Sequence, residues 1–187
     1  MPKREGRSGG NEFEGLKAAT RNGFVINMAQ MTQHSVPIAQ GLFEWLDDGA
    51  HLIGSKCLEC GEVTFPTSAF CPQCCRQTTE RILLSQRGRL HSFTVQRFKP
   101  PPPYKGVDPF QPYGVGVIEL PEGLRVTSVL EESDPDRLRV GIEMELVIGS
   151  FFSDEEGRDV VGYKFKPLGG TPEVRTSPSV HPERLGP

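Results

Sequence analysis

The chain has 187 residues, 36 % of them apolar, with Gly 21 and Pro 17; this suits one domain, or two small ones sharing a core, rich in turns and short strands. Its 21 Lys+Arg against 24 Asp+Glu leave a net charge of −3, which excludes an overall drive toward polyanions. No apolar run approaches the roughly 18 residues of a membrane span, and none follows Met1-Pro2-Lys3-Arg4, so no secretory signal is expected.

Residues 1–31 read as a flexible extension, with Lys3, Arg4 and Arg7 set among Gly and Ser. Asn11 followed by Glu14 offers a cap for a short helix that ends near Gly23. The native start is Met1, Met28 or Met31, which the residues do not distinguish. The body begins near His34. Gln40–Asp48 is read as an amphipathic helix, with Leu42, Phe43, Trp45 and Leu46 bunched and Gly49 as its stop. Phe43 and Trp45 are either core side chains or a docking face for a partner protein. Leu52–Lys56 then leads as a strand into Cys57.

Two Cys-x-x-Cys pairs follow, Cys57/Cys60 and Cys71/Cys74, ten residues apart. Tetrahedral Zn²⁺ takes four thiolates, and each pair places two sulfurs on one side of an ion. Gly61 suits the turn after the first pair, where a positive φ lets backbone amides point back at the thiolates. Glu62–Pro66 is long enough to run out and return as a hairpin. The expectation is a zinc ribbon spanning residues 32–84 together with the preceding helix, with ligands Cys57, Cys60, Cys71 and Cys74. The competing readings are a pair of disulfides or free buried thiols, disfavoured by the paired spacing and by five cysteines that fit a reducing cytoplasm. Cys75 stands where Gly61 stands in the first turn, and an exchange of ligand roles between Cys74 and Cys75 stays open.

From residue 85 to 167 the texture is strands and turns. Arg76–Leu84 is the exit strand of the ribbon, and Leu90–Phe98 alternates with Phe93 and Val95 in phase. Pro100, Pro101, Pro102 and Pro103 remove four donors, so Lys99 to about Pro112 is a long loop. Tyr113–Leu120 and Leu124–Leu130 form a hairpin about Pro121-Glu122-Gly123. Ser133–Leu138 is a capped turn. Ile142, Met144, Leu146 and Ile148 alternate with polar neighbours, an acidic loop covers 153–158, and Val160–Pro167 is the fifth strand. Five strands in about 80 residues suit a closed five-stranded OB-fold barrel. Past Leu168, residues 168–187 read as a disordered tail.

No nucleophile elbow, zincin motif or P-loop is present. Cys75 with His91 is the one nameable nucleophile–base pair, and a structural zinc edge explains that cysteine better. Glu143 and Glu145 share a strand face and read as solvated. The residues offer no catalytic set.

The order of Cys57-x-x-Cys60-Gly61, Phe65-Pro66, Cys71-Pro72-x-Cys74, then Gly88-Arg89-Leu90-His91-Ser92-Phe93-Thr94-Val95, the proline-rich loop, Pro112-Tyr113-Gly114-Val115-Gly116 and Leu138-Arg139-Val140-Gly141 resembles the zinc-ribbon/OB-fold family of acyl-CoA-associated proteins. The resemblance covers about residues 36–167. Cys75 departs from it, since Gly is usual there. It implies a mainly β protein with an N-terminal helix, a rubredoxin-like zinc ribbon and an OB-fold barrel. It also implies a non-catalytic, zinc-binding accessory subunit in a hetero-oligomer. The thiolase-fold partner would supply the chemistry at a shared coenzyme A thioester. Under that reading Arg97, Lys99 and Lys105 are candidates for the CoA phosphates, with plain solubility as their other explanation. Phe43, Trp45, Pro101, Pro102 and Tyr104 are candidates for the partner interface. The alternative is a single-stranded nucleic-acid module, because ribbons and OB-folds both serve that role. Residues 85–167 argue against it, with 11 Lys+Arg and 13 Asp+Glu, a net of −2.

Overall fold

The computed structural model describes residues 35–169. The expected short helix near Asn11–Gly23, the expected 1–31 extension and all but the first two residues of the expected tail lie outside them. Among the described residues ten strands and one 3₁₀ turn form two sheets, and no helix is long and apolar enough to cross a membrane.

The ribbon is built on one long strand. β1 is Ser35–Pro37, β2 is Phe43–Leu46, β3 is Gly49–Cys57, β4 is Val63–Thr64 and β5 is Thr79–Leu83. β3 is the spine. Its first half pairs antiparallel with β2, its second half with β4, and β5 covers residues 53–57. The amide of Ile53 donates to Leu42 and that of Cys57 to Glu62, whereas the Leu52 carbonyl accepts from Leu84. Since amides two residues apart share an edge, β2 and β4 lie in succession on one edge of β3 and β5 on the other.

The expected helix over Gln40–Asp48 is therefore absent. Phe43↔Leu52 and Trp45↔Ala50 are strand pairs, joined through Asp47-Asp48. The apolar residues at 43 and 45 have strand spacing, so both rings pack against the core from one face, while Glu44 between them meets Arg81 at 2.6 Å. Nine residues with clustered apolar side chains fit either period. Pairing with β3, a contact outside the window, decides for the strand.

The second sheet closes into a barrel of five strands. They are β6 Arg87–Gln96, β7 Tyr113–Glu119, β8 Arg125–Leu130, β9 Glu143–Ser153 and β10 Asp159–Pro167. β6–β7–β8 is an antiparallel meander, and β9–β10 is a long hairpin. Closure comes from β6 against β9 and from a short parallel contact of β8 with β10, Lys164↔Val129 and Phe165↔Leu130. This order, with one parallel join, is that of an OB-fold. β1 runs parallel to the first residues of β10, Ser35↔Asp159 to Pro37↔Val161, and covers the part of that edge which β8 does not reach. Between β8 and β9, Asp134 caps the Pro135–Arg137 turn by accepting from the Asp136 amide at 3.0 Å.

The inward residues of each barrel strand are apolar, as the alternation predicts. Leu90, Ile118, Val126, Leu130, Met144, Ile148, Val161 and Phe165 are all buried. Ala50, Leu52 and Leu84 from the ribbon belong to the same cluster, so ribbon and barrel share one core. Two further contacts fasten them. The Phe65 ring meets Tyr163 edge-on at 5.3 Å, and Glu122 in the β7–β8 turn accepts from the amide (2.7 Å) and hydroxyl (2.8 Å) of Ser85. The other oxygen of Glu122 is buried without a partner, so this carboxylate is committed to Ser85.

Candidate metal centre

β3 ends at Cys57 and the chain turns sharply. The Gly61 amide donates to the Cys57 carbonyl at 3.0 Å, and the Cys57 amide to Glu62 at 2.8 Å. The second turn repeats the pattern. The Cys75 amide donates to the Cys71 carbonyl at 2.9 Å, and the Cys71 amide to Arg76 at 2.9 Å. The residue closing each turn is left-handed, Gly61 at φ 76 and Cys75 at φ 59. Glycine adopts this freely. Cys75 is the one non-glycine residue with positive φ among those described.

The two turns bring four sulfurs together. The Sγ atoms of Cys57, Cys60, Cys71 and Cys74 all lie within 4.8 Å of one another, with Cys57 to Cys74 at 3.6 Å and Cys60 to Cys71 at 3.5 Å. A Zn–S bond of about 2.3 Å gives a tetrahedron with edges of about 3.8 Å, so the donor set fits Zn²⁺ in kind, number and size. No disulfide links any of the five cysteines, which removes the disulfide reading. Cys75 is exposed and outside the four-sulfur group, so the exchange with Cys74 does not occur. Cys57 and Cys71 are buried, and Cys60 faces solvent.

The thiols hold their protons unequally. The Cys60 amide, aimed at Cys57, is the largest influence on that thiol and lowers it to about 6 against the effect of burial. At Cys60 the Glu62 amide pulls the other way, yet the neighbouring thiols, led by Cys71, and burial push it to about 12. A cation among the four removes this competition. Four thiolates leave no coordination position for water or substrate, so such a metal has a folding role.

The remaining candidates are dispersed. Arg97 is exposed just past β6, Lys99 meets Asp108 at 3.5 Å across the neck of the proline-rich loop, and Lys105 lies over the Phe152 ring at 6.0 Å. Pro101 and Pro102 are exposed. Tyr104 is half-buried and faces its own barrel, stacked parallel on Tyr113 at 6.4 Å and edge-on to Phe110 at 6.2 Å. Burial, and then Tyr104, push the Tyr113 hydroxyl above its ordinary pKa. Phe43 and Trp45 are half-buried against the core. His91 is the extra residue of a bulge in β6, exposed and 3.6 Å from Glu119.

The sequence reading missed a groove of about 400 Å³ between the proline-rich loop and the β9–β10 hairpin, walled by Tyr104, Tyr113, Phe151 and Phe152. Its signal was the Phe151-Phe152 pair next to the acidic turn. Successive strand residues point to opposite faces. Here β9 bulges at Phe151, since Val160 faces Phe152 while Val161 faces Ser150, and both rings reach the groove.

Two family models match the two halves of this architecture. Residues 50–80 match the family described as the ChsH2 rubredoxin-like zinc ribbon domain, and residues 82–149 match the ChsH2 C-terminal OB-fold domain. A DUF35 domain-containing scaffold protein of Methanothermobacter thermautotrophicus is 43 % identical over 121 residues, covering 63 % of this chain and 86 % of that protein. The benzoylsuccinyl-CoA thiolase subunit BbsA of Thauera aromatica is 35 % identical over 119 residues, covering 63 % of this chain and 77 % of its own. Among solved structures, an Ltp2-ChsH2(DUF35) aldolase chain aligns with a TM-score of 0.47 at 25 % identity, over 63 % of this chain and 84 % of that one.

Proposed function

Because the chain belongs to the DUF35 family of zinc-ribbon/OB-fold proteins, we propose that it is a non-catalytic accessory subunit of a thiolase- or aldolase-type complex. It packs on a thiolase-fold enzyme and helps form that enzyme's acyl-CoA site. The observation that carries this reading is the 35 % identity to a protein named as a thiolase subunit, over a stretch of 119 residues.

The physical chemistry supports it. A closed set of four thiolates supplies folding energy rather than a reactive water, and structural zinc contributes about 10–16 kcal/mol of apparent binding energy to a small module. The ion would hold β3, and through Leu52 the barrel, in one orientation for a partner. Four prolines fix φ along the proline-rich loop and Tyr104 is already stacked on Tyr113, so the loop loses little entropy on docking. Pro101 and Pro102 present its outer side, and Arg97, Lys99 and Lys105 supply cations near it for CoA phosphates. In this scheme residues 32–84 carry the metal, and the candidate interface joins Phe43 and Trp45 of that segment with Pro101, Pro102 and Tyr104 of residues 85–167.

Co-expression with a thiolase-fold enzyme of the same organism tests the proposal. Co-elution, and thiolase activity that depends on this chain, are the expected results. Separate elution with unchanged activity would overturn it.

A further inference from the structure

We propose that the groove under the proline-rich loop is a binding site for an elongated apolar carboxylate, with its head at Lys105 and its hydrocarbon body running toward β1. Three observations carry this.

The first is adjacency. The groove walled by Phe151 and Phe152 shares a wall with a second trough of about 450 Å³ that lies between the β1–β2 connection and the barrel. Phe151 and Val129 line both. The trough is bounded by Ile38, Ala39, Leu42, Val115 and Tyr163 and contains no charged side chain. Two of its hydroxyls are already engaged: that of Ser128 donates to the Val129 and Tyr163 carbonyls, and that of Tyr163 to the Thr127 carbonyl. A side chain at Gly162 would strike both Ile38 and Phe151 at 2.9 Å, so the missing Cβ is what lets these two walls approach.

The second is charge. Two ammonium groups stand at the first groove. Lys164 is neutralised by Glu131 at 3.0 Å and lies 5.1 Å over the Phe151 ring. Lys105 is in no ion pair among the described residues, and its ammonium lies 6.0 Å from the Phe152 ring centroid. A cation without a counterion, at one end of an apolar trough, matches an anion with an extended apolar body.

The third is the β9 bulge at Phe151. It turns two consecutive aromatic rings into one groove, at the cost of an unpaired residue in the hairpin.

This site is on the chain itself and needs no second subunit, so decanoate binding by the isolated chain is read apart from the accessory-subunit reading; Lys105 taken by a carboxylate leaves Arg97 and Lys99 for CoA phosphates. The test is a titration of the purified full chain with octanoate, decanoate and dodecanoate below their micellar concentrations, followed by calorimetry, beside decanol and decyltrimethylammonium. Affinity is expected to rise about fourfold per added methylene until the trough is filled. Decanoate should bind better than decanol, and decyltrimethylammonium worst. Lys105→Glu should weaken decanoate about tenfold and leave decanol unchanged. Ala39→Trp, at an exposed position of the trough, should shorten the chain length at which affinity stops rising. Circular dichroism matching the parent chain shows that each variant is folded. No saturable binding of any carboxylate by the parent chain, equal affinity for all three head groups, or a Lys105→Glu variant that binds decanoate unchanged would each overturn the proposal.

Discussion

Cys75→Gly separates the two cysteine roles in the second turn. Cys75 is held at φ 59, closes its turn through the backbone amide alone, and keeps its sulfur outside the four-sulfur group. A left-handed conformation costs a non-glycine residue about 1–2 kcal/mol. Glycine removes that strain and keeps the amide bond to Cys71. Against this, glycine adds about 0.4–1 kcal/mol of chain entropy to the unfolded state. The balance favours the variant by about 0.8 kcal/mol, within a range of about 0 to 1.6. For a chain of this size that raises the unfolding midpoint by about 2–3 °C, with an upper limit near 6 °C. Thermal unfolding of the zinc-loaded protein, with metal analysis by mass spectrometry, reads both quantities. Zinc should remain at one per chain. Loss of zinc, or a midpoint lowered by more than about 2 °C, would refute the assignment of Cys75 as a turn-closing residue.

Other perturbations follow from the same geometry. Cys57→Ser or Cys71→Ser removes a buried sulfur and should abolish zinc binding, unfold the ribbon by amide exchange and lose the partner in co-purification; a zinc-free variant that still assembles would contradict the folding role. Glu122→Ala leaves the Ser85 amide without its acceptor and should cost about 2 kcal/mol in urea unfolding, whereas an unchanged midpoint would show that Ser85 does not fasten the ribbon to the barrel. In the β9–β10 turn, the Arg158 amide, with the Arg158 side chain and the Glu156 amide, holds Asp154 below the ordinary carboxylate pKa. A depressed folded-state pKa stabilises the turn above the unfolded value near 4 and loses that stability as pH falls through the folded value. The protection factor of the Gly157 amide should therefore fall on acidification below about pH 4, and Asp154→Asn should remove the pH dependence; an identical profile in the variant would refute it.

What was legible in the sequence was local. The cysteine spacing named the metal site because each turn spans only a few residues and its geometry is set within them. The alternation of Met144, Leu146 and Ile148 located β9 because one face of that strand is buried. Phe43 and Trp45 misled because a helix and a strand bury them equally well, and the choice rests on pairing with Leu52 and Ala50. β1 was invisible, since three residues carry no period and its partner lies more than a hundred residues on. The groove was equally hidden. Lys105 and Phe152 meet only when the barrel closes, and the bulge at Phe151 is visible only once β9 is paired with β10.

The layout of the strands also orders assembly in time. Every ligand of the metal lies within eighteen residues of the others, so the ribbon closes over a short loop. The barrel needs β6 to find β9 across more than forty residues, and β8 to meet β10 in a parallel contact of two pairs. Loop closure grows costlier with length, and chains dominated by distant pairings fold slowly. During synthesis the ribbon emerges first and can capture its ion while the barrel strands are still being made. Leu52 and Leu84 are then already held at a fixed spacing when Leu90, Met144 and Phe165 arrive. A metal bound there would complete the ribbon before the slow part of the chain exists.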